Sequence, residues 1–357
     1  MEGDDDADTN TVGRMTSFMP SCPPKIKHIV RPMAKLISGS LFDFLTISKA
    51  YRVFPNLDKD VLDAFARWYS SSGHWYLQRV KPSYTPQDST LHVRVTHGLD
   101  LCILTVMSQA ICFWNYRHVI PISFAASDIA NRLNVDQWNP PLITKFSPPY
   151  NTAFLAPSLS IHTLPHTAYA PANNVSEPFN RWFPNIVLET ATCPTNDPEE
   201  ILRYWQTLYR SRDIWLMCSY GKVSVAILVL FIINPETNKA TARMDIWRHD
   251  PRWQHPKLTD DFVLFPPPEG FTLTPPDGEE ESRTNTEGRD VEKVAFSARE
   301  IFGSSPDINL SDAKITAKVR LVLDINQTRR ELVREFNTHN RAGRFASRHN
   351  KGLEFEM

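Results

Sequence analysis

The stretch that most constrains this chain is Val223-Ser224-Val225-Ala226-Ile227-Leu228-Val229-Leu230-Phe231-Ile232-Ile233, the most hydrophobic segment of its 357 residues. A run this apolar and this rich in β-branched residues is too greasy for a half-exposed strand. It fits a central strand covered on both faces. Upstream lies Pro184-Asn185-Ile186-Val187-Leu188-Glu189-Thr190-Ala191, a short apolar run closing on a single carboxylate. Between them, Pro198 to Cys218 has helical character and ends in the turn Ser219-Tyr220-Gly221-Lys222; downstream, Thr241 to Trp247 offers a further strand. Strand, crossover helix and buried strand make a βαβ unit, so the sequence predicts an α/β (α+β) fold with a mixed central sheet flanked by helices.

Composition narrows the function classes. Hydrophobic residues make up 41% and charged residues 22%, the balance of a globular chain long enough for a large core. Net charge is -1, so no global basic field points to nucleic acid. Only 12 glycines stand against 28 prolines, which disfavours phosphate-cradling glycine loops. There is no GxSxG, no GxGxxG after a strand, no Walker loop and no HExxH. The five cysteines are scattered without a CxxC pair, which argues against structural zinc and for a reducing, intracellular setting, cytoplasmic or nuclear. The acidic start Met1-Glu2-Gly3-Asp4-Asp5-Asp6 is unlike a signal peptide. The apolar stretch Leu99 to Trp114 is too short and too interrupted to span a bilayer, so no membrane partner is expected.

Taken in order, residues 1–35 read as a disordered N-terminus and 36–90 as a helical subdomain, with Asn56 as N-cap to a helix bearing Leu57, Val61, Phe65 and Trp68. Residues 91–250 form the α/β core. Within it, Leu91-His92-Val93-Arg94-Val95 alternates as a half-exposed strand, and Asp100 to Trp114 is a buried helix. His118 to Phe124 reads as a strand and Ser127 to Leu133 as a short helix, followed by loop with brief extended pieces from Asn139 to Asn180. A Pro-rich acidic insertion occupies 251–290. A strand and a basic helix over 291–338 complete the core, the helix turning Leu332, Val333 and Phe336 inward, and 339–357 is a basic tail.

Two segments carry a family likeness: Phe183-Pro184-Asn185-Ile186-Val187-Leu188-Glu189, and Asp213-Ile214-Trp215-Leu216-Met217-Cys218-Ser219-Tyr220-Gly221-Lys222-Val223. They resemble the "FPxLVxE" strand and "DARxWLxxSxGxV" helix end of a large group of fungal proteins with a restriction-endonuclease-like core of the PD-(D/E)XK type. In that pattern two carboxylates hold magnesium, which polarises a scissile phosphate and activates a water. A lysine two residues past the second acid shares its strand face.

The resemblance places Glu189 at the second acid. Ala191 stands where the lysine is usual. In Pro165-His166-Thr167-Ala168-Tyr169-Ala170-Pro171, His166 takes the place of the first acid, and His97-Gly98 lacks the family's glutamate, with Asp100 nearby as a stand-in. Glu189, His166 and Asp100 are therefore the candidate catalytic residues, with Glu189 and His166 as metal ligands. Arg203, Arg210 and Lys222 are either relocated cations or ordinary surface charges. The expected function is a degenerate nuclease-like domain, catalytically weak or inactive, with DNA or RNA as the candidate partner. Two alternatives stand beside it: an active magnesium-dependent nuclease with displaced ligands, and an intracellular protein-interaction module.

Overall fold

A computed structural model of the chain describes residues 22–42, 51–71, 80–87, 89–96, 98–116, 133–136, 143–144, 146–163, 183–237, 239–249, 255–265, 292–302, 320–346 and 354–355. The fold is mixed α and β, with helices flanking the sheets, as the sequence predicts.

The βαβ unit is its centre. Strand β8 (Ile186–Cys193) is followed by helix α4 (Pro198–Cys218) and by strand β9 (Val225–Asn234), which lies parallel to β8. Helix α4 starts where it does because Asp197 accepts the Glu199 N–H and Pro198 takes the first turn, where no donor is needed. Strand β9 is covered on both sides. Val225, Ile227, Val229, Phe231 and Ile233 pack into one core, while Leu228 and Leu230 meet Leu208 of α4 on the other face. Burying side chains of this kind stabilises by roughly 1.5–3 kcal/mol each.

Around this pair a seven-stranded mixed sheet forms, in the order β11 (Lys257–Phe265), β10 (Lys239–Arg248), β9, β8, β7 (Leu159–Thr163) and β4 (Leu133–Asp136), with β14 (Glu354–Phe355) beside β10. One face is covered by helix α3 (Gly98–Tyr116) and by the C-terminal helix α6 (Ile325–Ala346), which does turn Leu332, Val333 and Phe336 inward. A two-stranded ribbon, β12 (Lys293–Ser297) with β13 (Arg320–Asp324), lies on either side of the short helix α5 (Ala298–Phe302) in sequence.

A second, antiparallel sheet of five strands runs β1 (Tyr51–Phe54), β3 (Thr90–Val95), β2 (Val80–Thr85), β6 (Phe154–Leu155), β5 (Ile143–Thr144). Its apolar face carries Val80, Tyr84, Leu91, Val93 and Val95 and packs on helices α1 (Lys27–Phe42) and α2 (Lys59–Ser71). Strand side chains alternate, so the opposite face carries Lys81, Ser83, His92 and Arg94. That polar face is turned toward β8 and α4.

Several expectations need correction. Helix α1 and the 3-10 turn Pro24–Ile26 before it lie at least partly inside the N-terminal segment expected to be disordered, because Ile26 of the turn and Ile29, Val30 and Met33 of the helix recur at helical spacing and are all buried. The segment 36–90 holds strands β1 and β2 as well as helix, because their residues pair with β3. Asn56 does not cap α2. It adopts φ 54, and the helix begins at Lys59 with Asp58 accepting from Val61 and Leu62. Strand β3 is not half-exposed, because its polar face is covered. Strand β11 occupies the start of the presumed insertion, zipped antiparallel to β10. The expected strand 118–124, residues 127–132 of the expected helix 127–133 and residues 266–290 lie outside the described residues, and Leu133, the last residue of that expected helix, begins strand β4.

Candidate functional site

The polar face of the five-stranded sheet and the α4 side of β8 enclose a buried ionic cluster. Glu189 sits at its centre, fourth of the eight β8 residues and 0% exposed. The expectation that it ends its strand is wrong, because Thr190 to Cys193 continue the ladder beside Val229 to Ile232.

Both carboxylate oxygens of Glu189 are held. Arg94 Nη2 donates to Oε2 at 2.5 Å, and Trp215 Nε1 donates to Oε1 at 2.9 Å. Arg94 reaches across from β3 and also donates through Nη1 to the Thr190 carbonyl at 2.7 Å, tying the two sheets together. Trp215 is delivered by the last turn of α4 and wedged edge-on against Phe146, ring centres 5.4 Å apart. The spacing between Trp215 and the β8 acid therefore has a physical reason: the helix returns an indole N–H to the strand it left.

Asp100 stands in the first turn of α3, 3% exposed, and Thr192 Oγ1 donates to its Oδ1 at 3.2 Å. Glu189 and Asp100 are thus each engaged by their own protein donors, on different elements. His166 lies outside the described residues, as do the Pro165–Pro171 turn and His97. Asp213 pairs with its neighbour Arg212, and Arg203 with Glu200 one turn away on α4. Among the described residues, no group of three or more His, Cys, Asp or Glu is arranged to hold a metal ion. The cluster does not suit magnesium. The charge of Glu189 is already met by a guanidinium, and a further cation, Lys81, lines the space beside it.

Lys81 was not foreseen. It lies directly opposite Arg94 in the β2–β3 register, is 3% exposed, and its Nζ has no hydrogen-bond partner among the described residues. Burial pushes its ammonium down to about 7; nearby Glu189 opposes the fall and Arg94 adds to it. Arg94 Nε likewise lacks an acceptor. These two cationic donors line a small chamber with Thr96, Asp100, Ser158 and Thr192.

Outside the chamber lies a larger cavity of about 350 Å³ between strands β1 and β3 and helix α4. Tyr51, Arg94, Ala191 and Tyr204 border both spaces. Tyr51 hydrogen-bonds His92 Nδ1, and its ring lies 5.7 Å from that of His92 and 5.8 Å from that of Tyr204. Burial pushes the Tyr204 phenol up, with Cys193 and Tyr51 adding to the shift, so it remains a donor at neutral pH. The Cys193 thiol is pushed up to about 11, chiefly by burial, and Cys102 to about 12 for the same reason; neither is an activated nucleophile. Arg203 and Arg210 stand at the exposed mouth.

Neither Lys81 nor Arg94 belongs to the motif that singled out Glu189. The one available signal was the polar set of the alternating β3 segment, His92 and Arg94. No helix of the described residues is long and apolar enough to cross a membrane. No protein-family model matches the chain, and no curated protein does.

Proposed function

We propose that this chain is a restriction-endonuclease-like domain of the PD-(D/E)XK type in which the surviving acid has become a structural anion, and that it works by binding rather than by cutting. The reading is carried by one observation: Glu189 is fully buried with one oxygen on Arg94 and the other on Trp215. A metal-ligating carboxylate must offer lone pairs and negative charge to the ion. Here an arginine on the facing strand neutralises that charge and an indole takes the second oxygen. The parallel β8–α4–β9 arrangement supports the kinship suggested by the motif. The ligand class expected of such a domain is DNA or RNA, and the cationic face between the sheets favours a phosphate-bearing partner.

The test is a cleavage assay on single- and double-stranded DNA and on RNA, with magnesium and with manganese, comparing the native chain with Glu189→Gln. No cleavage by either protein is expected. Cleavage that needs Glu189 overturns the reading and favours an active nuclease with displaced ligands.

A further inference from the structure

Two buried cations face each other here without enough acceptors. Lys81 and Arg94 are cross-strand neighbours, and like charges in that relation repel. Glu189 supplies one negative charge for the pair. Lys81 Nζ and Arg94 Nε are both left without an acceptor among the described residues. A buried ammonium with nothing to donate to is costly, so such a group points to a missing partner. The chamber beside them offers only about 10 Å³ to a water-sized sphere, room for one oxygen atom.

The surroundings say what that oxygen belongs to. The outer cavity of about 350 Å³ is within the range that encloses a small organic molecule. Its wall is aromatic, formed by Tyr51, His92 and Tyr204, and a planar ring packs well against such faces. Lys81, Arg94, Arg203 and Arg210 line the two spaces with Asp100 and Glu200, while Arg94 is met by Glu189 and Arg203 by Glu200. Lys81 Nζ and Arg94 Nε, two buried donors left without an acceptor among the described residues, favour an anionic oxygen, and guanidinium groups match phosphate oxygens well. A single water would give Lys81 one acceptor but would leave the aromatic-walled cavity outside the chamber without an occupant's shape to match.

From this we infer that the cleft between strands β1 and β3 and helix α4 binds one nucleotide, with its phosphate on Arg94, one phosphate oxygen directed to Lys81, and its base against Tyr51 and Tyr204. The inference stands on the cavity and on Lys81, independently of the ancestry of the sheet. Loss of the nuclease-like reading in a cleavage assay would leave it untouched.

Isothermal titration calorimetry on the full chain tests it, with AMP, UMP, adenosine, inorganic phosphate and a 5′-phosphorylated tetranucleotide as probes. AMP and UMP are expected to bind, and adenosine and inorganic phosphate to bind roughly tenfold or more weakly. Lys81→Met should weaken AMP binding by roughly tenfold or more, and Arg210→Ala, at the exposed mouth, by a few-fold with the fold intact by circular dichroism. Binding of the phosphorylated tetranucleotide but not of free nucleotides would keep the site and assign it to a strand end. Equal binding of AMP and inorganic phosphate, unchanged binding by Lys81→Met, or no binding of any probe would overturn the inference.

Discussion

Arg94 on β3 and Glu189 on β8 form a buried ion pair at 2.5 Å that joins two sheets across 95 residues of sequence. Desolvating two charges is expensive, and the pair survives because the remaining donors and acceptors are largely matched, with Thr190 and Trp215 completing it. Removing one partner leaves a buried charge. Arg94→Met and Glu189→Gln are each expected to cost about 3–5 kcal/mol in urea unfolding, and the double change distinctly less than their sum. Additive losses would show that the pair is not coupled.

Trp215→Phe isolates the indole N–H. The ring packing against Phe146 is largely kept, but Glu189 Oε1 loses its donor in a fully buried place. A hydrogen bond to a charged group contributes about 1.5–3 kcal/mol, so a loss of that size is expected in the same unfolding measurement. A loss near zero would mean that Oε1 finds another donor or a water.

Lys81 makes stability depend on pH in a stated direction. Its ammonium titrates near 7 in the folded chain, against 10.5 as its ordinary value. Between those values the unfolded chain holds the extra proton, so stability rises with pH by about 1.4 kcal/mol per unit from this group, and below pH 7 the whole penalty is present. Burial sets most of this shift, with Glu189 opposing it and Arg94 adding to it, and Asp100, Tyr51 and Tyr204 line the same chamber as Lys81. Lys81→Met should flatten that slope between pH 7 and 9 and stabilise the protein at pH 6. An unchanged slope in chemical denaturation across that range would place the proton elsewhere.

The fold was legible where one physical signal dominated. The apolar run of β9 and the helical segment before it announce a buried parallel strand, and both are found as the pattern demands. The site was legible only in part. Alternation in Leu91 to Val95 correctly put Arg94 and His92 on a polar face, but periodicity cannot tell a face turned to water from one turned to another sheet. Lys81 sits in Val80-Lys81-Pro82-Ser83, where the proline argues against an inner strand, yet β2 lies between β3 and β6. Its meaning comes from the charge of Glu189 on β8, more than a hundred residues away, and no local rule reaches that far. The N-terminal helix was missed for the opposite reason: prolines nearby masked a regular apolar stripe at Ile26, Ile29, Val30 and Met33.

The C-terminal helix gives the last prediction. Strand β11 ends the order of the large sheet, so one of its edges has no strand beside it among the described residues. Arg329 of helix α6, 1% exposed, works there. Its Nε and Nη2 both donate to the Val263 carbonyl, at 3.1 and 2.6 Å, while Nη1 donates to Asn326 Oδ1 at 2.8 Å and pairs with Glu292. One planar fork thus binds an outer strand, the entry to β12 and its own helix at once. An ammonium cannot reproduce that geometry, because its three donors radiate from one point on a flexible stem. Arg329→Met is expected to cost about 3 kcal/mol, as befits breaking a buried charged network, and Arg329→Lys to recover only a minor part. Limited proteolysis should then cut first near β11 or within α6, where the lost contacts lie. Native-like stability of Arg329→Lys would show that charge alone, without the fork, holds the helix to the sheet.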